Sequence, residues 1–220
     1  MDAESCLQGR RSIRAFKPEP VPRALLREVF DLARWSPSYK NSQPWEVLIL
    51  SGARKEALSR EMLRLLASGA PATPDLAAPT IWPPAEEAKI NQLYRSRQET
   101  TGIDLREPNV VRKAKKANFS FYGAPHAVYL FQEKSLSLWS LFDLGLFAQN
   151  LMLAAHAKGL GTVPQAFAVD YAREIKDFLG IPASKRLVLG LSLGYPNPQS
   201  SLNQLRTARA PVEDFVRWLE

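Results

Sequence analysis

The chain has 220 residues, of which 45% are hydrophobic, and 29 Lys and Arg against 22 Asp and Glu give it a net charge of +7. That length supplies one sizeable core, since single cores grow to about 250 residues before chains divide. The basic balance favours anionic partners, but the cations are spread out with no helix-turn-helix, zinc-finger or RNP pattern, so no nucleic-acid partner is expected.

In chain order, a short helical start from about Ser5 to Gly9 leads into RRSIRAF (10–16). Cys6, the only cysteine, excludes an internal disulfide framework and a cysteine-built zinc site, and reads as a packing residue. Pro18, Pro20 and Pro22 punctuate a turn. Pro22 suits the first turn of a helix whose stripe is Leu25, Leu26, Val29, Phe30, Leu32 and Ala33. Ser36-Pro37 stops it, because the residue before a proline leaves helical geometry. SPSYKNSQPW (36–45) reads as a loop and WEVLILSG (45–52) as a strand. A second helix spans about Lys55 to Leu66.

Residues 68–118 are the least regular part, with six prolines and a mixed polar helix around Glu86 to Gln98. They read as an irregular insertion covering one side of the core, within a single domain spanning 1–220. KAKKAN (113–118) reads as a solvated helix face. HAVYLF (126–131) is the next strand. The longest helix lies in 137–161 and is apolar nearly all round, which predicts burial. Lys158-Gly159 ends it. After GTVPQAFAVD, Asp170 is expected to cap a helix that stops at Gly180. RLVLGLSLG (186–194) is the third strong strand, and PVEDFVRWLE closes the chain as a short helix or a last pairing strand.

Strands and helices occur without a βαβ rhythm, and GxGxxG and GxxxxGKS are absent, so the class is α+β. His126 and His156 are far apart and read as structural or surface residues, and no metal set is expected. No 18-residue apolar run occurs, so no membrane partner is expected. MDAESCLQGRRS lacks the apolar core of a signal peptide, so the expected location is the cytoplasm.

The crowding of Arg10, Arg11 and Arg14 raises the question of what sits among them. A guanidinium offers five donors in a fixed fork. Arg10 and Arg11 with the Ser12 hydroxyl have the chemistry to surround a phosphate, and Arg209, helped by Arg206, could close on it from the other end. Arg14, on an extended segment, would reach a different atom of the same ligand. Scattered surface arginines are the plainer alternative. SPSYKNSQPW adds rigid turns and short hydrogen-bonding groups that suit the edge of a flat polar ring.

RRSIRAF, SPSYKNSQPW, GLGTVPQAF, LVLGLSLGYP and RTARAP, in that order, resemble the nitroreductase family of FMN-dependent NAD(P)H oxidoreductases. The resemblance covers nearly the whole chain. It implies a nitroreductase-like fold, with a small mixed or antiparallel central sheet flanked by helices, in an interlocked homodimer. It implies that Arg10, Arg11 and Ser12 grip the FMN phosphate and ribityl chain, and that Arg14 reaches the pyrimidine side of the ring. Pro37, Ser38 and Asn41 would approach from the other subunit. Backbone amides of Pro164, Gln165 and Ala166 would lie by the flavin N5 edge, and Arg209 would be a phosphate ligand. Phe121 and Tyr122 are candidates for lining the substrate site. NADH or NADPH would reduce the flavin, which would then reduce flat, electron-poor small molecules such as nitroaromatics or quinones. Other flavin tasks on the same fold (reductive dehalogenation, enone reduction, dehydrogenation) and a non-catalytic flavin-binding role are the alternatives.

Overall fold

The computed structural model describes residues 2–104 and 106–220. Its centre is a four-stranded sheet in the order β1-β2-β4-β3: β1 Glu46–Ser51, β2 His126–Glu133, β3 Gly161–Gln165 and β4 Lys185–Gly194. All three pairings are antiparallel. Among the described residues, seven α-helices surround it: α1 Ala3–Gly9, α2 Arg23–Ala33, α3 Gly52–Ala67, α4 Pro84–Thr101, α5 Pro108–Phe119, α6 Leu138–Ala157 and α7 Ala172–Leu179. This is the α+β class that the sequence predicts.

Successive side chains of a strand point to opposite faces. On β2, Ala127, Tyr129 and Phe131 enter one core with Leu58 and Met62 of α3, Phe119 of α5 and Ile175 of α7. Val128 and Leu130 enter a second core with Val29 of α2 and Leu144, Phe147 and Leu151 of α6. Helices thus cover both faces, which is why HAVYLF is uninterrupted by polar residues. Gly180 adopts a left-handed φ of 70° just beyond α7, the stop expected there.

Several local expectations change. Residues 68–118 contain the expected polar helix, α4, which is longer than predicted, and KAKKAN belongs to a full helix, α5, so the segment is more regular than its prolines suggest. Each starts with a proline in its first turn, where a missing N–H costs nothing. GTVPQ, not read as a strand, is β3; Pro164 is tolerated because β3 is at the edge of the named sheet. Asp170 does not cap α7. Tyr171 holds the cap position without a side-chain bond, while Asp170 pairs with Lys115 at 2.8 Å. The C-terminal segment makes only a 3₁₀ turn at Val212–Asp214, and Phe215, Trp218 and Leu219 are exposed.

Helix α6 is buried along its C-terminal half but exposes Leu138, Trp139 and Phe142 at its start. By length and composition it is apolar enough to cross a membrane, yet half of that window is buried inside the protein. Asp143 accepts from the Tyr39 amide, and Asn150 donates to Ser36 at 2.9 Å. The helix therefore serves as a wall of the second core.

Asp75 pins the proline-rich stretch to the sheet. Its carboxylate accepts from Lys176 Nζ at 2.7 Å and the Leu187 amide at 2.8 Å. Burial pushes this carboxyl up, but those hydrogen bonds and the nearby Lys134 outweigh it and hold it below the usual carboxylate range. A depressed carboxyl contributes stability above its unfolded value of about 3.9 and loses it as pH falls through the folded value. Asp75→Asn is therefore expected to cost about 1 kcal/mol at neutral pH, because the amide oxygen still accepts both bonds but the charge is gone. In thermal melts the difference from wild type should shrink below about pH 4.

Candidate active site

The RRSIRAF segment leaves α1 at Gly9 and runs extended along the outer edge of β3. Ser12 bridges Thr162 in parallel, and the Ile13 amide donates to the Thr162 carbonyl at 2.9 Å. Ile13 is buried, which fixes the register. Asn203, buried in the polar C-terminal connection, clamps the next residues. Its Oδ1 accepts from the Arg14 amide at 2.7 Å, and its Nδ2 donates to the Ala15 carbonyl at 2.8 Å. Sequence reasoning missed Asn203, since nothing in SSLNQ marks one amide as a clamp across 189 positions.

This edge brings two cation groups together. In the first, Arg10, Arg11 and His156 line a small hollow of about 100 Å³ with Thr162 and Gly161. Arg209 lies within electrostatic reach of Arg10, and Arg206 within reach of Arg11. Burial, then the neighbouring guanidinium, holds both Arg10 and Arg11 below the ordinary arginine value. Burial, then Arg10, Arg11 and Arg206, depresses His156, and its Nε2 has no hydrogen-bond partner. Among the described residues, none of these arginines forms an ion pair with a carboxylate. Arg209 folds back on its own turn, with Nη1 donating to Thr207 Oγ1 at 2.7 Å. Like charges held together without a counter-ion are costly unless an anion joins them, and a phosphate matches this donor set.

The second group lines a cleft of about 670 Å³ bounded by Arg14, the end of β3 (Val163 to Phe167), Tyr122, and residues of α4 and α5. Arg97 of α4 lies beside Arg14. Burial, then Arg14, lowers it, while Tyr122 acts the other way. Arg97 was not anticipated from the sequence, because one cation on a polar helix looks like any solvated residue.

The floor of the cleft is held from behind. Gln165 is buried, and its Nε2 donates to the Asn118 carbonyl at 3.0 Å. Ser192 Oγ lies 2.6 Å from Gln165 Oε1 and 2.8 Å from the Phe121 carbonyl oxygen, so one hydroxyl proton serves two acceptors. Asn118 Nδ2 donates to Tyr122 Oη at 3.0 Å. Gln165 thus offers the cleft only its backbone. Phe121 and Tyr122 both adopt left-handed φ, at 51° and 53°. Such strain in bulky residues persists where surroundings over-determine it, and it clusters at functional sites.

Phe121 itself is fully buried, edge-on to Tyr129, and packs in the core. Its expected role in lining a substrate site is therefore corrected; Tyr122 alone of the two borders the cleft. Pro37, Ser38 and Asn41 do not border it within one chain. Their loop lies on the start of α6, where Tyr39 stacks on Trp139 at 6.2 Å and Ser38 Oγ accepts from the Gln43 amide at 2.9 Å.

Comparison with known proteins decides the family. A sequence model described as "Nitroreductase family" matches residues 7–195. The chain belongs to the nitroreductase family. Among curated family members, a 4-nitrobenzoate reductase of Pseudomonas putida is 35% identical over 99% of this chain and 96% of its own. Nitroreductase NfnB of Mycolicibacterium smegmatis is 31% identical over 98% of this chain and 92% of its own. A crystal structure of FMN-dependent nitroreductase NfnB from Mycobacterium smegmatis in complex with NADPH superposes with a TM-score of 0.93 at 30% identity, covering 99% of this chain and 98% of that one.

Proposed function

We infer that this nitroreductase-family oxidoreductase binds FMN along the outer edge of β3, takes hydride from NADH or NADPH, and passes electrons to flat, electron-poor acceptors such as nitroaromatics or quinones. The observation that carries this is that arginines from both ends of the chain lie within electrostatic reach of one another, without carboxylate partners among the described residues, beside a cleft floored by β3. The relatives named above, one a 4-nitrobenzoate reductase and one an FMN-dependent nitroreductase seen with NADPH, support the same chemistry.

In this reading Arg10, Arg11 and Ser12, with Arg206 and Arg209, hold the cofactor phosphate. Arg14 would hold the pyrimidine side of the ring, and the backbone of Pro164, Gln165 and Ala166 would hold its N5 edge. Bound FMN supplies reversible hydride acceptance, which none of the twenty side chains can provide. The protein's part is to orient and to tune. Arg14 would supply positive charge to stabilise the reduced ring on its pyrimidine side. The Gln165–Ser192 and Gln165–Asn118 bonds keep the β3 edge from shifting. Pro37, Ser38 and Asn41 serve the site of a second copy. The aromatic face of Tyr39, Trp139 and Phe142 supports this homodimer, because it leaves large apolar groups exposed in one chain.

Arg14→Ala is expected to retain flavin, because the phosphate ligands remain, but to slow reduction by NAD(P)H about tenfold. Stopped-flow bleaching measures this, and an unchanged rate removes the role given to Arg14. The function itself is tested by steady-state turnover of a nitroaromatic, a quinone and an enone, each with NADH and with NADPH. Reduction of the first two supports the reading; reduction of the enone alone assigns the chain a different flavin task.

A further inference from the structure

The flavin-gripping positions leave two cations of the cleft without an assignment, the exposed Lys113 and the more enclosed Arg97. Arg97 comes from α4, in the segment outside every motif that resembles the family, and it sits beside Arg14, half-buried. Among the described residues it has no carboxylate partner. The charged lining of the cleft consists of Arg14, Arg97, Lys113, Asp104 and Glu107. Asp104 is occupied by Arg106, with two bonds of 3.0 Å to its side chain. Counting that pair as neutral leaves three cations against one carboxylate. Tyr122, Val163, Ala114 and Phe167 supply an apolar lining suited to a flat ring.

We propose that Arg97 is a specificity-determining residue that receives the carboxylate of an electron-poor aromatic acid bound in this cleft. The proposal rests on the flavin reading above, in which Arg14 serves the cofactor and Arg97 is left for the acceptor. A guanidinium fork matches a carboxylate with two parallel bonds, so the anion also fixes the orientation of the ring. Desolvation inside a half-closed cleft strengthens that pair relative to its value in water. A neutral isostere would leave the guanidinium unpaired, which is the stronger source of discrimination.

The test compares 4-nitrobenzoate with the uncharged 4-nitrobenzamide in the flavin-loaded wild-type protein and in Arg97→Gln and Arg97→Lys. The wild type is expected to favour the acid in kcat/KM by about tenfold or more, mostly through KM. In R97Q that ratio should fall close to one, and R97K should restore part of it. Three outcomes overturn the proposal: an equal change for both acceptors, loss of flavin from R97Q, or a rise in KM confined to NADPH and not NADH. The last would assign Arg97 to a nucleotide phosphate. If yellow wild-type protein turns over neither acceptor, the oxidoreductase reading fails separately. Calorimetric binding of benzoate then decides the anion site, with about tenfold weakening in R97Q expected and equal affinity contradicting it.

Discussion

Arg11→Ala is expected to give a folded protein that purifies largely without colour. Arg11 and Arg10 share a small hollow with His156, and the charge of Arg206 reaches Arg11. A charge-assisted hydrogen bond to phosphate is worth about 1.5–3 kcal/mol, so its loss weakens FMN about 10- to 100-fold. The fold should not suffer. Arg11 is only half-buried and makes no ion pair among the described residues, and its removal relieves repulsion from Arg206. The melting curve of the flavin-free variant should match or slightly exceed that of flavin-free wild type. The ratio of visible flavin absorbance to protein absorbance after purification reads the outcome, and a fluorescence titration with added FMN gives the affinity. Unchanged flavin content would remove Arg11 from the phosphate site.

Gly190→Ala is expected to reach the same site through the fold. A Cβ at Gly190 would lie 2.7 Å from Ala168 Cβ and 3.4 Å from a ring carbon of Tyr129. Neither neighbour is the free end of a flexible chain. Position 190 is held in register by Tyr129 on one side and Gln165 on the other, so β4 cannot step back. The turn at Phe167–Val169 must move instead, and with it the end of β3 that floors the cleft. Overpacking of this kind costs about 2–3 kcal/mol. For a chain of this size that lowers the melting temperature by roughly 5–10 °C. Flavin affinity should fall as well, because Gly190 pairs with Gln165, whose backbone is assigned to the N5 edge of the ring. An unchanged melting temperature would mean that the Ala168 turn yields freely, and the floor of the cleft would then be soft.

How far the sequence foretells this molecule depends on the length scale of each signal. Strands β1, β2 and β4 are legible because continuous apolar runs between turn residues have few other readings. The helix at 138–157 is legible in extent but not in exposure. Its sequence is apolar nearly all round, and only the fold shows that Trp139 and Phe142 face outward while Phe147 and Leu151 face the sheet. GTVPQ escapes because Pro164 argues against a strand, and only an edge position makes it acceptable. Asp170 misleads because its spacing suits a cap, yet Lys115, distant in sequence, claims the carboxylate.

The site divides the same way. Arg10, Arg11 and Arg14 stand out as a local cluster, Arg206 enters only as a helper to Arg209, and the resemblance to the family points to Arg209 and the β3 turn. Asn203, Arg97 and the Asn118–Gln165–Ser192 network are invisible before folding. Each acts through a partner far away in the chain, and none belongs to a residue type or spacing that marks it. Phe121 shows the converse: its neighbour Tyr122 reaches the cleft, while a left-handed turn sends Phe121 into the core.

An anaerobic absorbance titration tests the central claim most directly. Purified protein should show the visible bands of oxidised flavin, lose them on addition of NADH or NADPH, and regain them when a nitroaromatic acceptor is added. A protein that carries no flavin even after incubation with FMN, or whose bound flavin keeps its colour in the presence of excess NADH and NADPH, would contradict the account.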